Sequence, residues 1–321
     1  MDGLGSFDGD PVDYLLRRAN LSEGERRRVE QSSSAGLHGL LDAGVGFLEE
    51  DRYPELLLEA EGTPPVIVYW GTPALEAPTI AIVGTRAAST YGKACAQKFA
   101  EAFARAGVTV VSGGALGIDA AAHKGALDGG GRTVAVLAGG VDNVYPSVHG
   151  GLFQQIRESG CLISQFALGT KPNAYKFLVR NGLIAALSTA VLVVEAPARS
   201  GAIRTAEAAS ELGRDVFVVP ANINALSFHG SFNLIRDGAT LVDNPNQVLE
   251  ALGVKPAAHQ EVVPSSSLGE QILAVLTTTP LATEFIVERT GLDTGGVLSE
   301  LTLLELEGKV IRDGVGYAIR P

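Results

Sequence analysis

The sequence predicts an α/β protein with a doubly wound, mostly parallel sheet at its centre. From Thr79 to about residue 242, apolar segments of strand length alternate with segments of helical periodicity, which is typical of a parallel sheet covered by helices. The strand segments, such as TVAVLA and AVLVVEA, are apolar without a break, as expected for strands buried on both faces. The 39 glycines among 321 residues suit the tight turns of such a fold. We therefore predict a doubly wound α/β core with a smaller module on either side.

Composition limits the classes of protein to be considered. Hydrophobic residues make up 46 % of the chain, which is enough for a substantial core, and no apolar run is long enough to predict a transmembrane helix. The N-terminus, MDGLGSFDGD, does not resemble a signal peptide, and Cys95 and Cys161 lie in apolar segments, as reduced thiols do. We therefore expect a cytoplasmic protein. The net charge of −11 argues against indiscriminate nucleic-acid binding but leaves room for a local basic groove.

Residues 1–60 are predicted to form a small helical module. An amphipathic segment begins at 14–16, and Ser22 is suited to cap the next helix. Residues 36–41 and 45–48 predict two further short helices. A Gly/Pro cluster at 62–65 then marks the start of the core.

The core, residues 61–252, carries the alternating pattern. We predict strands at 66–70, 79–83, 108–112, 133–138, 161–166, 190–195, 215–219 and 239–242. We predict helices at 91–106, 119–127, 148–158, 176–187, 203–213 and 230–236.

Glycine-rich turns follow several of these strands, at the edge where doubly wound folds bind ligands. Gly84-Thr85-Arg86 follows the first parallel strand, and the positive end of the next helix is expected to point toward it. The turn at 112–119 has three glycines in five positions, which predicts an anion-binding nest with Asp119 as the helix N-cap. Further turns lie at 139–140 and 200–201. Any parallel fold needs such turns, but the arginines beside two of them favour a phosphate-rich ligand.

A basic, aromatic segment lies between Gln165 and Ala206. It contains five Lys/Arg residues and one acid, Glu195, a net charge of +4 in an acidic chain. The cations alternate with Phe and Tyr residues, a composition typical of surfaces that hold an extended polyanion and stack its bases. From composition alone, a solvated helix face with a loop attached is an equally acceptable interpretation.

No catalytic site is predicted. Asp119 and His123 lie four residues apart on one predicted helix and could pair, but a cap and a hydrogen-bonded core histidine are the favoured interpretation. Asp142 is predicted to orient its own turn, and Ser112 lacks the G-x-S-x-G pattern of a nucleophile. Because the sequence contains no Walker A pattern and no His/Cys cluster with metal-ligand spacing, we predict neither a cofactor nor a metal.

The C-terminal part follows a Pro/Ser-containing linker at 253–267. Helical patterns around 272–276, 284–290 and 297–306 precede two alternating segments at 309–312 and 316–319, so residues 268–321 predict a winged-helix-like module. The module holds eight acids against four Lys/Arg residues. A DNA-reading winged helix needs a basic third helix, so we interpret this one as a protein-contact or packing module.

Several motifs in fixed order resemble a known family. They are RYPELLLEAEGTPPVIVYWG, IAIVGTR, SGGALGIDAAAHKGAL, VAVLAGGVDNVYP, F-x-x-R-N at 177–181, VLVVEAPARSGAIRTAEAA and FNLIRDGA. Over residues 52–242 the chain is similar to the DNA-processing protein A family (DprA, also called Smf) of bacteria. The two ends resemble that family more loosely.

The resemblance implies a homodimer whose Rossmann-like core binds single-stranded DNA, independently of sequence and without catalysis. It implies a recombination mediator that protects incoming single-stranded DNA and helps to load RecA recombinase during natural transformation of competent cells. The expected partners are single-stranded DNA, RecA, single-strand-binding protein and a second copy of the chain, with no membrane. A SAM-like N-terminal module and a C-terminal winged helix also occur in the family.

The resemblance also implies the DNA-binding residues, motif by motif. It places DNA at the turns after two strands and on the helix that begins near residue 176. Two arginines of the basic segment complete the predicted set, which is Gly84, Arg86, Ser112, Gly113, Gly114, Lys176, Phe177, Arg180, Asn181, Arg199 and Arg204.

The chain departs from the family's pattern at several positions. Gln165-Phe166-Ala167 stands where an acid and prolines are common, Gly182 where a second arginine is common, and His149 and Ala221 where asparagine and glycine are usual. The missing arginine lowers the expected charge of the pocket, and Arg204 could compensate. These departures bear on affinity rather than on the class of protein.

An enzyme acting on nucleotides is the alternative hypothesis. Similar sheets occur in lysine-decarboxylase-like phosphoribohydrolases, which carry P-G-G-x-G-T-x-x-E after a late strand. Residues 198–207 keep one glycine and the threonine, but the acid, Glu207, is shifted by one residue. That shift moves the carboxylate by about 100° around a helix, so the mediator is the favoured hypothesis.

Overall fold

A computed structural model describes residues 44–49, 52–64, 66–73, 75, 78–256, 267–314 and 316–320. The helices predicted before residue 44 and most of the predicted linker lie outside the described residues. The chain divides into two compact units at Ala257. Among the described residues, no helix combines the length and the apolarity needed to cross a lipid bilayer.

The first unit contains a nine-stranded sheet. Its strands are β1 (Val45–Glu49), β2 (Val66–Gly71), β3 (Thr79–Val83), β4 (Thr109–Ser112), β5 (Thr133–Val136), β6 (Cys161–Ser164), β7 (Ala190–Val193), β8 (Asp215–Val218) and β9 (Thr240–Leu241). Their order across the sheet is β1-β2-β6-β5-β4-β3-β7-β8-β9. The seven strands from β6 to β9 in this order are parallel, and β2 and β1 extend the sheet as antiparallel neighbours. The predicted mostly parallel, doubly wound sheet is confirmed.

Helices connect and cover these strands. They are α1 (Glu55–Leu58), α2 (Thr90–Arg105), α3 (Ile118–Asp128), α4 (Gly150–Ser159), α5 (Ala174–Ala186), α6 (Gly201–Glu211), α7 (His229–Arg236) and α8 (Pro245–Ala251). The predicted helices of the core agree with α2 to α7 within about two residues. Helix α8 was not predicted, although Asn244 and Gln247 form a capping box at its start.

The strands are apolar on both faces because both faces are covered. In β3, Ala81 and Val83 join a core with α5 and α6, whereas Ile80 and Ile82 join a second core with α2, α3 and α8. A third core packs α4 against β2, β5 and β6. Helices on both faces leave the strand ends as the accessible edges of the sheet.

The topological switch point of the sheet lies between the neighbouring strands β3 and β7. Strands β3 to β6 are added on one side, and β7 to β9 are added on the other side of β3. In open α/β sheets ligands bind at the carboxyl ends of the strands beside such a switch point. Here that edge carries the loops that follow β3, β4, β5, β6 and β7.

Two local predictions were wrong. Residues 45–48 form part of strand β1, which pairs with β2 from Val45↔Trp70 to Glu49↔Val66, and not a helix. Val45 and Phe47 favour a strand, and pairing along β2 outweighs a weak helical pattern. Asp119 is not the N-cap of α3, since Gly117 holds that position and Asp119 lies within the first turn.

The second unit has three helices and a hairpin, as predicted. The elements are α9 (Ser267–Val275), α10 (Thr283–Thr290), α11 (Thr294–Leu306), β10 (Val310–Asp313) and β11 (Gly316–Ile319). Ile272, Ile286 and Leu301 are fully buried in its core. Gly291 ends α10 in the left-handed conformation, with φ of 67°. The described residues of this unit hold eight acids and four Lys/Arg residues, a net charge of −4.

Candidate nucleic-acid interface

Phe177 lies at the centre of a cluster of cations and aromatic rings. The guanidinium carbon of Arg86 lies 4.5 Å from the centroid of its ring, and that of Arg180 lies 5.7 Å away. Tyr145 packs edge-on, with ring centroids 6.0 Å apart and an interplanar angle of 66°. We call Arg86, Tyr145, Phe177 and Arg180 the Phe177 cluster. It brings together the loop after β3, the loop after β5 and helix α5.

Helix α5 places two members of the cluster on one face. Asn173 caps the helix by accepting a hydrogen bond from the backbone N–H of Lys176, at 2.9 Å. Phe177 and Arg180 then lie three residues apart, a spacing at which helical side chains are neighbours. The cap fixes the start of the helix and therefore the position of Phe177 in its first turn.

Lys176 extends the cluster toward the loop after β6. Its Nζ lies 5.3 Å from the centroid of Phe166 and donates to the carbonyl oxygen of Lys171 at 3.3 Å. The sequence analysis did not assign Phe166 or Tyr145 to the site. Both belong to loops whose side-chain directions have no periodicity, so only their aromatic character could have indicated them.

Arg180 is a buried cation beneath Phe177. Only 3 % of the residue is exposed, and its Nη1 donates to the carbonyl oxygen of Val136 at 3.1 Å. Burial lowers the pKa of Arg180 to about 10, against the opposing effect of the nearby Asp119 carboxylate, so the guanidinium stays charged at neutral pH. Arg180 therefore supplies a buried positive charge near the ring, while Arg86 is exposed.

The turn at 112–114 is filled by the chain's own side chains. The Ser112 hydroxyl donates to the carbonyl oxygen of Ile82 at 2.6 Å, and a Cβ at Gly113 would overlap the guanidinium of Arg180. Gly114 has φ of 68° and packs against Phe153. The turn predicted to bind an anion therefore packs against the guanidinium of Arg180, and we assign it a packing role.

Asp119 takes the place of an external anion at this turn. Its Oδ2 accepts a hydrogen bond from the backbone N–H of Ala115 at 3.3 Å. Burial raises the pKa of Asp119, while the charges of Arg180 and Arg86 oppose that rise. His123 does not pair with it, because His123 Nδ1 lies 2.7 Å from the Thr133 hydroxyl in the core. The prediction of a hydrogen-bonded core histidine agrees with the structure, whereas Asp119 is buried and hydrogen-bonded but is not the cap of α3.

The predicted phosphate site at the start of α2 is also occupied internally. A Cβ at Gly84 would overlap Ile118, so this glycine allows β3 to approach α3. The amino end of α2 receives the buried carboxylate of Glu195, which accepts hydrogen bonds from Ser89. Glu195 is the lone acid of the basic segment, and no role was predicted for it.

Arg199 and Arg204 lie apart from the Phe177 cluster. In the described parts of the chain, no hydrogen bond, ion pair or ring contact joins either residue to Phe177. Arg204 forms an exposed ion pair with Glu207 at 2.9 Å. Glu207, the acid of the alternative enzyme motif, is therefore paired with a neighbouring arginine on the surface of α6. Asn181 does reach α6, where its Nδ2 donates to the carbonyl oxygen of Gly201 at 3.1 Å.

Asp142 orients a neighbouring loop rather than its own turn. Both of its carboxylate oxygens accept from the backbone N–H of Gly169, at 2.9 and 2.8 Å. This fastens the loop after β5, which carries Tyr145, to the loop after β6, which carries Phe166. The ranges that the structure describes contain no group of three His, Cys, Asp or Glu residues suited to a metal ion.

Comparison with known proteins identifies close relatives. The family model described as "DNA recombination-mediator protein A" matches residues 45–253, and the model "DprA winged helix domain" matches residues 255–314. Protein Smf of Synechocystis sp. is 36 % identical over 314 residues, covering 85 % of this chain and 79 % of the relative.

Two solved structures share the fold of the first unit. DNA processing protein A (DprA) of Streptococcus pneumoniae superposes with a TM-score of 0.63 at 36 % identity, over 70 % of this chain and 80 % of that one. A structure describing the single-stranded DNA binding mode of DNA processing protein A from Helicobacter pylori gives a TM-score of 0.60 at 29 % identity, over 65 % and 95 %. With the family model matched across the whole sheet and the winged-helix model across most of the second unit, this chain belongs to the DNA recombination-mediator protein A (DprA/Smf) family.

Proposed function

We propose that this chain is a recombination mediator that binds single-stranded DNA without regard to sequence, through the Phe177 cluster. One observation carries the proposal. An aromatic ring at the switch-point edge has an exposed guanidinium 4.5 Å and a buried guanidinium 5.7 Å from its centroid. Relatives of the same family include a protein solved for its single-stranded DNA binding mode.

The chemistry of the cluster suits a single strand. Guanidinium groups form strong, charge-assisted hydrogen bonds with phosphate oxygens. An aromatic ring stacks on the face of a base, which every base offers and which a paired, stacked duplex hides. Because neither contact reads the edges of a base, binding through this cluster is independent of sequence.

The charges around the Phe177 cluster also favour binding of a negatively charged strand. Arg86, Lys171, Lys176 and Arg180 supply four cations, and the three acids nearby, Asp119, Asp142 and Glu195, are engaged by backbone N–H groups. The total charge of −11 opposes binding elsewhere. A negative strand is therefore directed to one basic edge of an acidic protein.

The test is fluorescence anisotropy with single- and double-stranded oligonucleotides of equal length across a salt series. The variant Arg86→Ala/Lys176→Ala removes two cations of the interface, and Lys98→Ala/Arg132→Ala removes two exposed cations elsewhere as a matched control. We expect the unmodified protein to prefer the single strand. We expect the first variant to flatten the slope of log affinity against log salt by about 1.4, since each phosphate contact on a single strand contributes about 0.7.

Two outcomes contradict the proposal. Equal binding of single strand and duplex would show that base stacking is not used. An equal change in the two variants would show that the first variant acts only through net charge.

The mediator role extends to partners. We infer that the protein acts in the cytoplasm and passes the bound strand to RecA. We also infer that it competes with single-strand-binding protein for that strand. RecA ATPase activity on DNA coated with single-strand-binding protein tests this inference, because loading should shorten the lag before hydrolysis. An unchanged lag at saturating protein would contradict it.

We also propose that the chain acts as a homodimer, so that two clusters hold one strand with greater avidity. Strand β9 ends the sheet, and Leu241 on it is 48 % exposed. Leu226, in the loop after β8, is 75 % exposed. An unpaired strand edge with exposed apolar side chains suits self-association. Sedimentation of the Leu226→Lys/Leu241→Lys variant should give a monomer, and an unchanged dimer would place the contact elsewhere.

A further inference from the structure

Glu195 is a buried acid that contacts both ends of the loop carrying Arg86. It follows β7 and is only 1 % exposed. Its backbone oxygen accepts a hydrogen bond from the N–H of Thr85 at 2.7 Å. Its Oε2 accepts from the backbone N–H of Ser89 at 2.9 Å and from the Ser89 hydroxyl at 2.8 Å. The three bonds are made by Thr85 and Ser89, so they hold the loop 84–89 on both sides of Arg86 in the chain.

The carboxylate lies at the positive end of α2. Ser89 is the N-cap of this helix, and its Oγ accepts from the N–H of Gly92 at 3.0 Å. A negative charge at this end is stabilised by the unpaired N–H groups and by the helix dipole. A Cβ at Gly92 would overlap Glu195 Oε2, so glycine at this position makes room for the carboxylate. The place at which many doubly wound folds hold a nucleotide phosphate is thus taken by a side chain.

The opposite side of the loop is held by α3. The N–H of Ile118 donates to the carbonyl oxygen of Thr85 at 3.2 Å, and a Cβ at Gly117 would overlap the backbone of Thr85. With both sides fixed, the direction of the loop at Arg86 is determined by the bonds to Glu195 and α3. That direction places the Arg86 guanidinium over Phe177.

We propose that Glu195 is the positioning residue for Arg86, its carboxylate standing in for a phosphate at the start of α2. The proposal deepens the proposed function, on which it rests, by naming the residue that prepares the interface before DNA arrives. Glu195 itself is buried and contacts no DNA. Loss of its carboxylate releases the Ser89 end of the loop, while the backbone bonds at Thr85 remain, and Arg86 is then held less firmly over Phe177.

A double-mutant cycle tests the coupling. Single-stranded DNA affinity is measured for the unmodified protein, Glu195→Ala, Arg86→Ala and the double variant, with thermal unfolding of each. We expect Glu195→Ala to weaken binding about tenfold when Arg86 is present and less than twofold when Arg86 is absent. Glu195→Gln, which keeps an acceptor oxygen for Ser89, should recover part of the loss. Glu101→Gln, in an exposed ion pair with Arg105 on α2, serves as the matched control.

Chemical rescue separates positioning from general destabilisation. Sodium formate supplies a small carboxylate that can enter the space left by Glu195→Ala. At equal ionic strength, replacing chloride with formate should raise the affinity of this variant for single-stranded DNA about threefold and leave Arg86→Ala unchanged. If Glu195→Ala does not fold, Ser89→Ala takes its place in the cycle; it removes the hydroxyl bond to the carboxylate together with the N-cap bond from Gly92, and thermal unfolding measures the cost of the lost cap.

The outcomes are distinguishable. If Arg86→Ala binds as well as the unmodified protein, the proposed interface is wrong. If Arg86→Ala weakens binding but Glu195→Ala does not, the interface stands and the positioning role is overturned. If the two losses add, and formate has no effect, Glu195 acts through overall stability and the positioning role is likewise overturned.

Discussion

At the scale of single residues, Phe177 is the side chain on which the proposed interface depends most. Arg86 lies above one side of the ring and Arg180 is buried near it. Cations near a ring are attracted to its electron-rich face, and here they also fix where a base can stack. The cluster is therefore formed before DNA binds, and little side-chain entropy has to be lost on binding.

Phe177→Ala should weaken binding of an oligo(dT) single strand by about 1–3 kcal/mol, because one stacked base is lost. This corresponds to roughly 5- to 150-fold in Kd. Phe177→Trp should retain binding, since the ring is kept. Phe285→Ala removes an exposed phenylalanine of the second unit and should have no effect in the same anisotropy assay. Equal losses for Phe177→Ala and Phe285→Ala would contradict the assignment.

His123 shows how burial fixes a protonation state. The Thr133 hydroxyl donates to the carbonyl oxygen of Val110 at 2.8 Å, so His123 Nδ1 is the donor to Thr133. Its Nε2 is buried and has no hydrogen-bond partner among the described residues. Burial lowers the pKa of His123 to about 3, and the charges of His149 and Arg180 act in the same direction.

This shift predicts acid sensitivity. The unfolded chain takes up a proton near pH 6.5 and the folded chain near pH 3, so between these values the unfolded state binds more protons. The free energy of unfolding therefore falls as pH falls through this window, by up to about 1.4 kcal/mol per pH unit. His123→Asn, which keeps a donor to Thr133, should lose this dependence in urea unfolding at pH 4 to 6.5. The exposed His229→Asn is the control, and equal slopes for the two variants would contradict the account.

At the scale of elements, the loops after β5 and β6 act together because Asp142 joins them. The bonds from Gly169 N–H to both carboxylate oxygens hold the loop that carries Phe166 against the one that carries Tyr145. Asp142→Ala should therefore speed hydrogen exchange of residues 165–170 by about tenfold or more and weaken single-stranded DNA binding by a smaller factor. Asp128→Ala, which removes an exposed bond to Gln97, should do neither. Unchanged exchange at Gly169 would contradict the role of Asp142.

Helix α5 has an open position at Gly182, two residues after Arg180. A Cβ at Gly182 would meet no atom within 4 Å, so a side chain can leave the helix there without displacing its neighbours. Gly182→Arg should raise affinity for single-stranded DNA several-fold and steepen the salt slope by about 0.7, if it adds one phosphate contact. Gly182→Ala should raise stability by about 1 kcal/mol through helix propensity without changing the slope. A slope that is the same in both variants would show that position 182 does not face the strand.

The elements could be predicted from the sequence where burial imposes a pattern. Strands covered on both faces read as continuous apolar runs, and this pattern predicted the parallel strands β3 to β8. The same logic failed at Val45, where a short edge strand depends on its partner β2. The cations and Phe177 could be located because helix spacing and composition agree. The roles of Gly113 and Glu195 could not be predicted, because both depend on which side chain from a distant segment fills the turn.

At the scale of the whole molecule, charge is unevenly distributed. The chain carries −11 in total, the described part of the second unit carries −4, and the cations at the switch-point edge lie among few acids. Such a distribution limits nonspecific contact and makes association with DNA strongly dependent on salt. The acidic third helix of the winged-helix unit fits the predicted protein-contact or packing role better than the reading of DNA.

The central claim is that a single strand lies on the Phe177 cluster, and photochemical cross-linking of a thymine-rich oligonucleotide followed by mass spectrometry of the adducts tests it most directly. The account predicts adducts in peptides that contain Tyr145, Phe166 or Phe177, and their loss in Arg86→Ala/Lys176→Ala. Adducts confined to the winged-helix unit, or to residues at the amino ends of the strands, would contradict it.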